Sequence, residues 1–180
     1  MIPSRSPNGL EVRAAAEMRA AGRRLEGYAA TFGTPAAIGA FTEIIRAGAF
    51  RASLATPGRD VLALVDHDPG RLLARTASGT LRLVEDGKGL SYSLDVPDTQ
   101  LGHDVLALAQ RGDLGGCSFG FRVQDEAWPA ADRRELRAVD LVEISIVHAW
   151  PAYSATSFQA RARGAEADAA RARRRFLETL

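Results

Sequence analysis

Three polar side chains stand where apolar ones would be expected, and their types add up to one chemistry. Ser118 lies in Gly115-Gly116-Cys117-Ser118-Phe119-Gly120-Phe121, a small hydroxyl on a glycine-flanked stretch with aromatics beside it. His67 follows the apolar run Val61 to Val65, in Asp66-His67-Asp68-Pro69. Glu143 interrupts Leu141-Val142-Glu143-Ile144-Ser145-Ile146-Val147. A hydroxyl, an imidazole and a carboxylate are the parts of an activated nucleophile. Neutral imidazole accepts a hydroxyl proton near pH 7 more readily than any other side chain. The chemistry they could do together is acyl transfer, provided three separate β-type segments bring them to one place.

Each residue also has an ordinary reading. A serine between glycines is more often a small residue where packing is tight. Strand alternation puts Cys117, Phe119 and Phe121 on one face, and Ser118, Gly120 and Arg122 on the other. Glycine on that second face predicts room for another backbone, as an extended substrate would need. His67, taken alone, reads as a surface-turn histidine between solvated aspartates, although a strand end is a rigid and accessible mount for a base. Glu143 in a central strand must have a partner for its charge. That partner is either one of the many arginines or the far nitrogen of His67, and the residues alone leave both open.

Two other site chemistries compete. Gly116-Cys117-Ser118-Phe119-Gly120 matches the nucleophile-elbow pattern, with Glu143 and His148 following in the order of an α/β-hydrolase esterase. That motif requires a strand, a turn and a helix, whereas Phe121-Arg122-Val123 continues as strand. His67, His103, His148 and Cys117 could be considered as metal ligands, but none stands at ligand spacing. No metal or cofactor is expected.

The elements that must position these groups follow from pattern and composition. A chain of 180 residues, 46% hydrophobic and 25% charged, suits one globular domain. A net charge of +1 supplies no general attraction to nucleic acid or an anionic membrane. Cys117 is the sole cysteine, so no internal disulfide can form and a reducing compartment is the default. No apolar stretch approaches the roughly 20 residues of a membrane span, and the start lacks an apolar secretory core. Strands are predicted from Leu10 to Met18, Arg24 to Phe32, Phe41 to Ile45, Val61 to Val65, Leu90 to Val96, Cys117 to Val123 and Leu136 to Val147. Leu72 to Thr76 and Thr80 to Val84 read as a hairpin turning at Ser78-Gly79. Ala49 to Leu54 reads as a short helix. A longer helix is predicted from an Asp98 cap to about Arg111, stopped by Gly112. A charged loop is expected around Asp132-Arg133-Arg134. Strands that follow one another directly disfavour a doubly wound parallel sheet. The expected fold is therefore α+β, mainly an antiparallel β-barrel with flanking helices. Its body covers residues 10–160, after a disordered segment 1–9 and before an Arg/Ala-rich helical or disordered tail, 161–180.

Several stretches together resemble the tailed-phage prohead proteases, capsid-maturation serine proteases distantly related to the herpesvirus assemblins. They are Glu26-Gly27-Tyr28-Ala29, Glu43-Ile44-Ile45-Arg46-Ala47-Gly48-Ala49-Phe50, Asp66-His67-Asp68, Ser118-Phe119-Gly120-Phe121, and Leu141 to Val147 leading to Pro151-Ala152-Tyr153. The resemblance runs from about Leu25 to Tyr153. It implies a herpesvirus-protease-like fold with Ser118 as nucleophile, His67 as base and Glu143 as third member, where the herpesvirus relatives carry a histidine. Those relatives organise the oxyanion hole with an arginine pair, whereas the comparable stretch here reads Trp150-Pro151-Ala152-Tyr153 and identifies no donors. It further implies action in the host cytoplasm inside the procapsid, on scaffold protein or the scaffold-like segment of the major capsid protein, and on the enzyme itself. A homodimer through the helix near 100–111 is expected by analogy alone. Nucleic acid and membrane are not expected partners. A domesticated gene transfer agent would use the same enzyme, and an inactive scaffold of the same fold is the rival reading.

Overall fold

Long alternating runs make this chain a protein of sheets, and two strands near its end dominate it. The structure is a computed structural model that describes residues 9–15 and 18–148. Of the segment expected to be disordered, residues 1–8, together with the end of the domain at 160 and the predicted tail, fall outside the described residues. The strands are β1 (Leu10–Ala15), β2 (Met18–Ala21), β3 (Arg24–Thr31), β4 (Ala36–Ile38), β5 (Phe41–Ile45), β6 (Leu62–Val65), β7 (Asp68–Arg75), β8 (Leu81–Glu85), β9 (Gly89–Asp95), β10 (Gly116–Ala130) and β11 (Arg133–Val147). Helix α1 (Arg51–Leu54) follows β5, and α2 (Gln100–Arg111) follows β9.

The larger sheet runs β1-β10-β11-β5-β4, with β6 and β7 branching from β11. Strand β11 pairs antiparallel with β10 along its length. On its other edge its two ends take different parallel partners, β5 beside Arg133 to Leu136 and β6 beside Glu143 to Ile146. The smaller sheet, β2-β3-β9-β8, is antiparallel throughout. The mainly antiparallel β character expected from the pattern is present, but the barrel is not. Among the described residues no ladder joins the two sheets, so they pack as layers rather than close. The predicted β7–β8 hairpin is also replaced, because β7 pairs with β6 in one sheet and β8 with β9 in the other.

One buried cluster joins the layers, with Leu25, Leu90, Tyr92 and Leu94 from the smaller sheet and Phe119, Phe121, Ile144 and Ile146 from the larger. Phe119 stacks on Phe121 at 5.1 Å and meets Phe50 edge-on at 5.5 Å between centroids. Contacts of this kind contribute about 0.5–1.5 kcal/mol each beyond area burial. They lock the face of β10 opposite Ser118 into the core. Helix α2 is capped by the Thr99 side chain, which accepts from Gly102 N–H at 3.2 Å, rather than by Asp98. Asp98 instead faces His103 and Arg23. Gly112 ends the helix with φ 74°, a left-handed turn that favours glycine. The helix buries Val105 and Leu106 within its own chain.

Candidate active site

The His67 mount is a two-residue hairpin turn. Val65 pairs with Asp68 across it, and Asp66 and His67 adopt φ of 52° and 60°. Two positive-φ residues in succession give the turn whose twist suits a hairpin, a place usually taken by Asn-Gly. Pro69 and Gly70, residue types common in turns, lie on β7 instead. Asp and His tolerate the left-handed region better than most residues but still at a cost. Bonds to β11 and its end hold the turn there. Asp66 N–H donates to Ile146 O at 3.0 Å, and His67 N–H donates to Ser145 Oγ at 3.1 Å. The Asp66 carboxylate accepts from His148 N–H at 2.9 Å, meets His148 Nδ1 at 2.6 Å and takes Arg71 at 3.1 Å. Burial opposes ionisation of Asp66, but the two His148 contacts and Arg71 outweigh it and hold the carboxyl below its ordinary value.

The Glu143 carboxylate, 6% exposed on the central strand, is aimed at that turn. Its Oε1 lies 2.8 Å from His67 Nδ1, and its Oε2 accepts from Ser145 Oγ at 2.5 Å. An ionised carboxylate can only accept. The His67 proton therefore sits on Nδ1, and a neutral ring keeps the Nε2 lone pair free. Of the two partners considered for Glu143, the structure brings it to His67 and not to an arginine. His148, the histidine of the esterase alternative, is engaged by Asp66 instead.

Ser118 stands opposite Ser145 in the β10–β11 ladder, one strand away from the carboxylate. Its hydroxyl donates to Arg13 O of β1 at 2.7 Å, and no hydrogen bond joins Ser118 to His67 in this arrangement. The second face of β10 is not open as expected, since Ser118 is 2% exposed and Gly120 is buried. The room at Gly120 is used by the acid itself. A Cβ there would lie 2.4 Å from Glu143 Oε1 and 3.2 Å from its Cδ. Both oxygens of Glu143 are tied, so the carboxylate cannot swing away without giving up a bond. Gly120→Ala is expected to lower kcat/KM by about 100-fold through this displacement, with the melting temperature much less affected. Near wild-type kinetics for that variant would show that the carboxylate has freedom the contacts do not indicate.

Cys117 faces the opposite way and is fully buried. Burial, with the Glu143 charge adding to it, pushes its thiol far up, so it does not compete as a nucleophile. His103 is exposed on α2 and bonds Asp98. Among the described residues no cluster of His, Cys, Asp and Glu could hold a metal.

Three contributors escaped the sequence reading. Ser145 carried one visible signal, its place two residues after Glu143 on the same strand face. Arg13 had none, because its carbonyl reaches Ser118 through a strand pairing. The third is a buried ion cluster at the far end of β10 and β11. Glu43, 2% exposed, meets Arg13 Nε at 2.5 Å and Arg134 Nη1 at 3.0 Å. Arg134, 3% exposed and expected in a loop, also binds Glu11 at 2.6 Å and Glu126 at 2.5 Å.

A strand-borne serine one strand from a carboxylate that is bonded to a histidine suits a serine hydrolase. The family of caudovirus prohead serine proteases matches residues 9–170, and the chain belongs to it. It is accordingly a serine endopeptidase of phage capsid maturation, and the family implies capsid or scaffold proteins of the prohead as its partners. The chain matches no curated protein and no solved structure. No helix among the described residues is long and apolar enough to cross a membrane.

Proposed function

We propose that Ser118 is the nucleophile of this endopeptidase, His67 its general base and Glu143 the group that orients and charges His67. The observation that carries the assignment is the Glu143 carboxylate seated on His67 Nδ1, one strand from Ser118. In the reaction Ser118 Oγ attacks the scissile carbonyl carbon while its proton passes to His67 Nε2. The C–N bond then breaks as His67 returns the proton to the leaving amine. Water, deprotonated by the same nitrogen, releases the acyl group and restores the serine. Glu143 stays ionised throughout and stabilises the imidazolium.

The substrates we propose are the scaffold protein or the scaffold-like segment of the major capsid protein, and the enzyme itself, cut inside the procapsid. The same reading extends the fold likeness to the herpesvirus assemblins, on the mainly antiparallel strands and the spacing from Ser118 to Glu143. The Ser118 hydroxyl, buried and given to Arg13 O, supports a resting state. The hydroxyl must leave that bond before it can act, which suits an enzyme gated by assembly.

The test is to co-express wild type and Ser118→Ala, each with its own major capsid protein, and to measure intact masses. Defined truncations with wild type alone are expected, and their masses locate the cuts. Equal truncation in both would remove Ser118 from the chemistry. Intact capsid protein in both, with wild-type enzyme also uncut, would remove the proposed substrates. Equal cutting by dilute purified enzyme and by enzyme within particles would count against gating.

A further inference from the structure

Ser145 is 0% exposed on the central strand of the larger sheet, where an apolar residue would pack without any hydrogen bond to satisfy. Its hydroxyl has one proton to give, and that proton goes to Glu143 Oε2 at 2.5 Å. A lone pair of the same oxygen receives the backbone N–H of His67 at 3.1 Å. One hydroxyl thus bonds the acid's side chain and the base's main chain at once. Residues two apart on a strand share a face, which is how Ser145 comes to stand beside Glu143. The β10–β11 register then sets Ser145 directly opposite Ser118, and the β6–β11 register sets it beside Leu64 at the root of the His67 turn.

Resting on the triad proposed above, we infer that Ser145 is a positioning residue for the His67–Glu143 pair. A carboxylate held by one oxygen can rotate about its last bond, and each rotation moves Oε1 off the line to Nδ1. Anchoring Oε2 removes that freedom. The His67 N–H belongs to a residue at φ 60°, and without Ser145 it would have no acceptor among the described residues. The hydroxyl therefore also satisfies the turn that presents the ring. The group touches no reacting atom, and its effect on the reaction passes through Glu143 and His67.

Full-length Ser145→Ala and Ser145→Cys are compared with wild type, using a fluorogenic peptide that spans the cut located by intact mass. Ser145→Ala is expected to lower kcat by about 10- to 100-fold with KM nearly unchanged. The His67 Nδ1–H proton resonance should shift or broaden, and the acid limb of the pH profile should move with it. Ser145→Cys, near in volume but a weak hydrogen-bonding group, should fall between the two. In a Glu143→Ala background the Ser145→Ala change should cost clearly less than in wild type, because only the His67 N–H bond is left for it to break. A purely structural serine would give a lower melting temperature with wild-type kcat, pH profile and Nδ1–H resonance, or equal losses in both backgrounds. Either result overturns the inference. If Ser145→Ala does not fold, wild-type kcat and Nδ1–H resonance in Ser145→Cys overturn it as well. Failure of the triad reading is separate, since it would appear as activity retained in Ser118→Ala or His67→Ala.

Discussion

Ser118→Ala and His67→Ala are each expected to lower kcat/KM by about a million-fold, and Glu143→Ala by roughly ten-thousand-fold. The difference follows from what each group does. Removing the serine or the base removes a bond-forming or proton-carrying atom. Removing Glu143 leaves both in place but frees the imidazole to take the wrong tautomer and leaves its positive charge unsupported. In the proposed triad the three act as one unit, so the triple variant should be no slower than Ser118→Ala. What remains in all of them is catalysis by substrate binding and oxyanion stabilisation, which the substitutions do not touch. Single-turnover rates on the peptide spanning the mapped cut, with each variant's fold checked by circular dichroism, supply the comparison. Losses that multiply across the triple variant would mean that the residues work independently, contrary to the proposed triad.

The second large effect is on stability. Glu43→Ala is expected to destabilise the fold by about 3–5 kcal/mol. At roughly 2–4 °C of melting temperature per kcal/mol for a chain of this size, the shift is roughly 10 °C. Glu43 lies between Arg13 and Arg134, and its loss leaves two guanidinium groups short of a buried counter-charge. The loss is so large because desolvation of the arginines persists when their partner is gone. Replacing Glu43 and Arg134 together by leucine and methionine should cost less than the sum of the two single changes, because Arg13 keeps Glu11 at 2.8 Å. The cluster also sets an acid limit. Burial opposes ionisation of Glu11, but Arg134 and Arg13 outweigh it and hold its carboxyl below the ordinary value. A depressed folded pKa gives stability that is present above the unfolded value and is lost as pH falls through the folded one. Stability should therefore decline below about pH 4.3, and Glu11→Gln should flatten that decline. A melting temperature for Glu43→Ala within 2 °C of wild type would show that the cluster is solvated and weak.

Local patterns fixed much of this protein before any contact was known. Strand-type runs marked β3, β5, β9, β10 and β11, and alternation placed Cys117, Phe119 and Phe121 on one face, the core face, because side chains of a strand must alternate. Gly112 marked the end of α2 for an equally local reason, its freedom at positive φ. Ser118, His67 and Glu143 were visible as types out of place, and of these the structure brings His67 and Glu143 into contact. Glu143 stood out most, since a carboxylate in an apolar run has to find a partner.

Pairing was not visible, and pairing decides the rest. Two adjacent strands such as β7 and β8 look like a hairpin in sequence, yet each gains more burial in a different sheet. Arg134 reads as a loop residue until β11 is seen to begin at Arg133 and to carry the guanidinium among Glu11, Glu43 and Glu126. Gly120 signals only that space exists, and the ladder determines that Glu143 fills it. The amino-acid sequence by itself thus determined which residues could do acyl-transfer chemistry and which faces they share along each strand. The tertiary structure alone decided that Glu143 meets His67, that Ser145 bonds both, and that Ser118 rests on Arg13. Those contacts join residues as far apart as Arg13 and Ser118, and only strand register, set by burial of whole faces, brings such distant side chains within bonding reach.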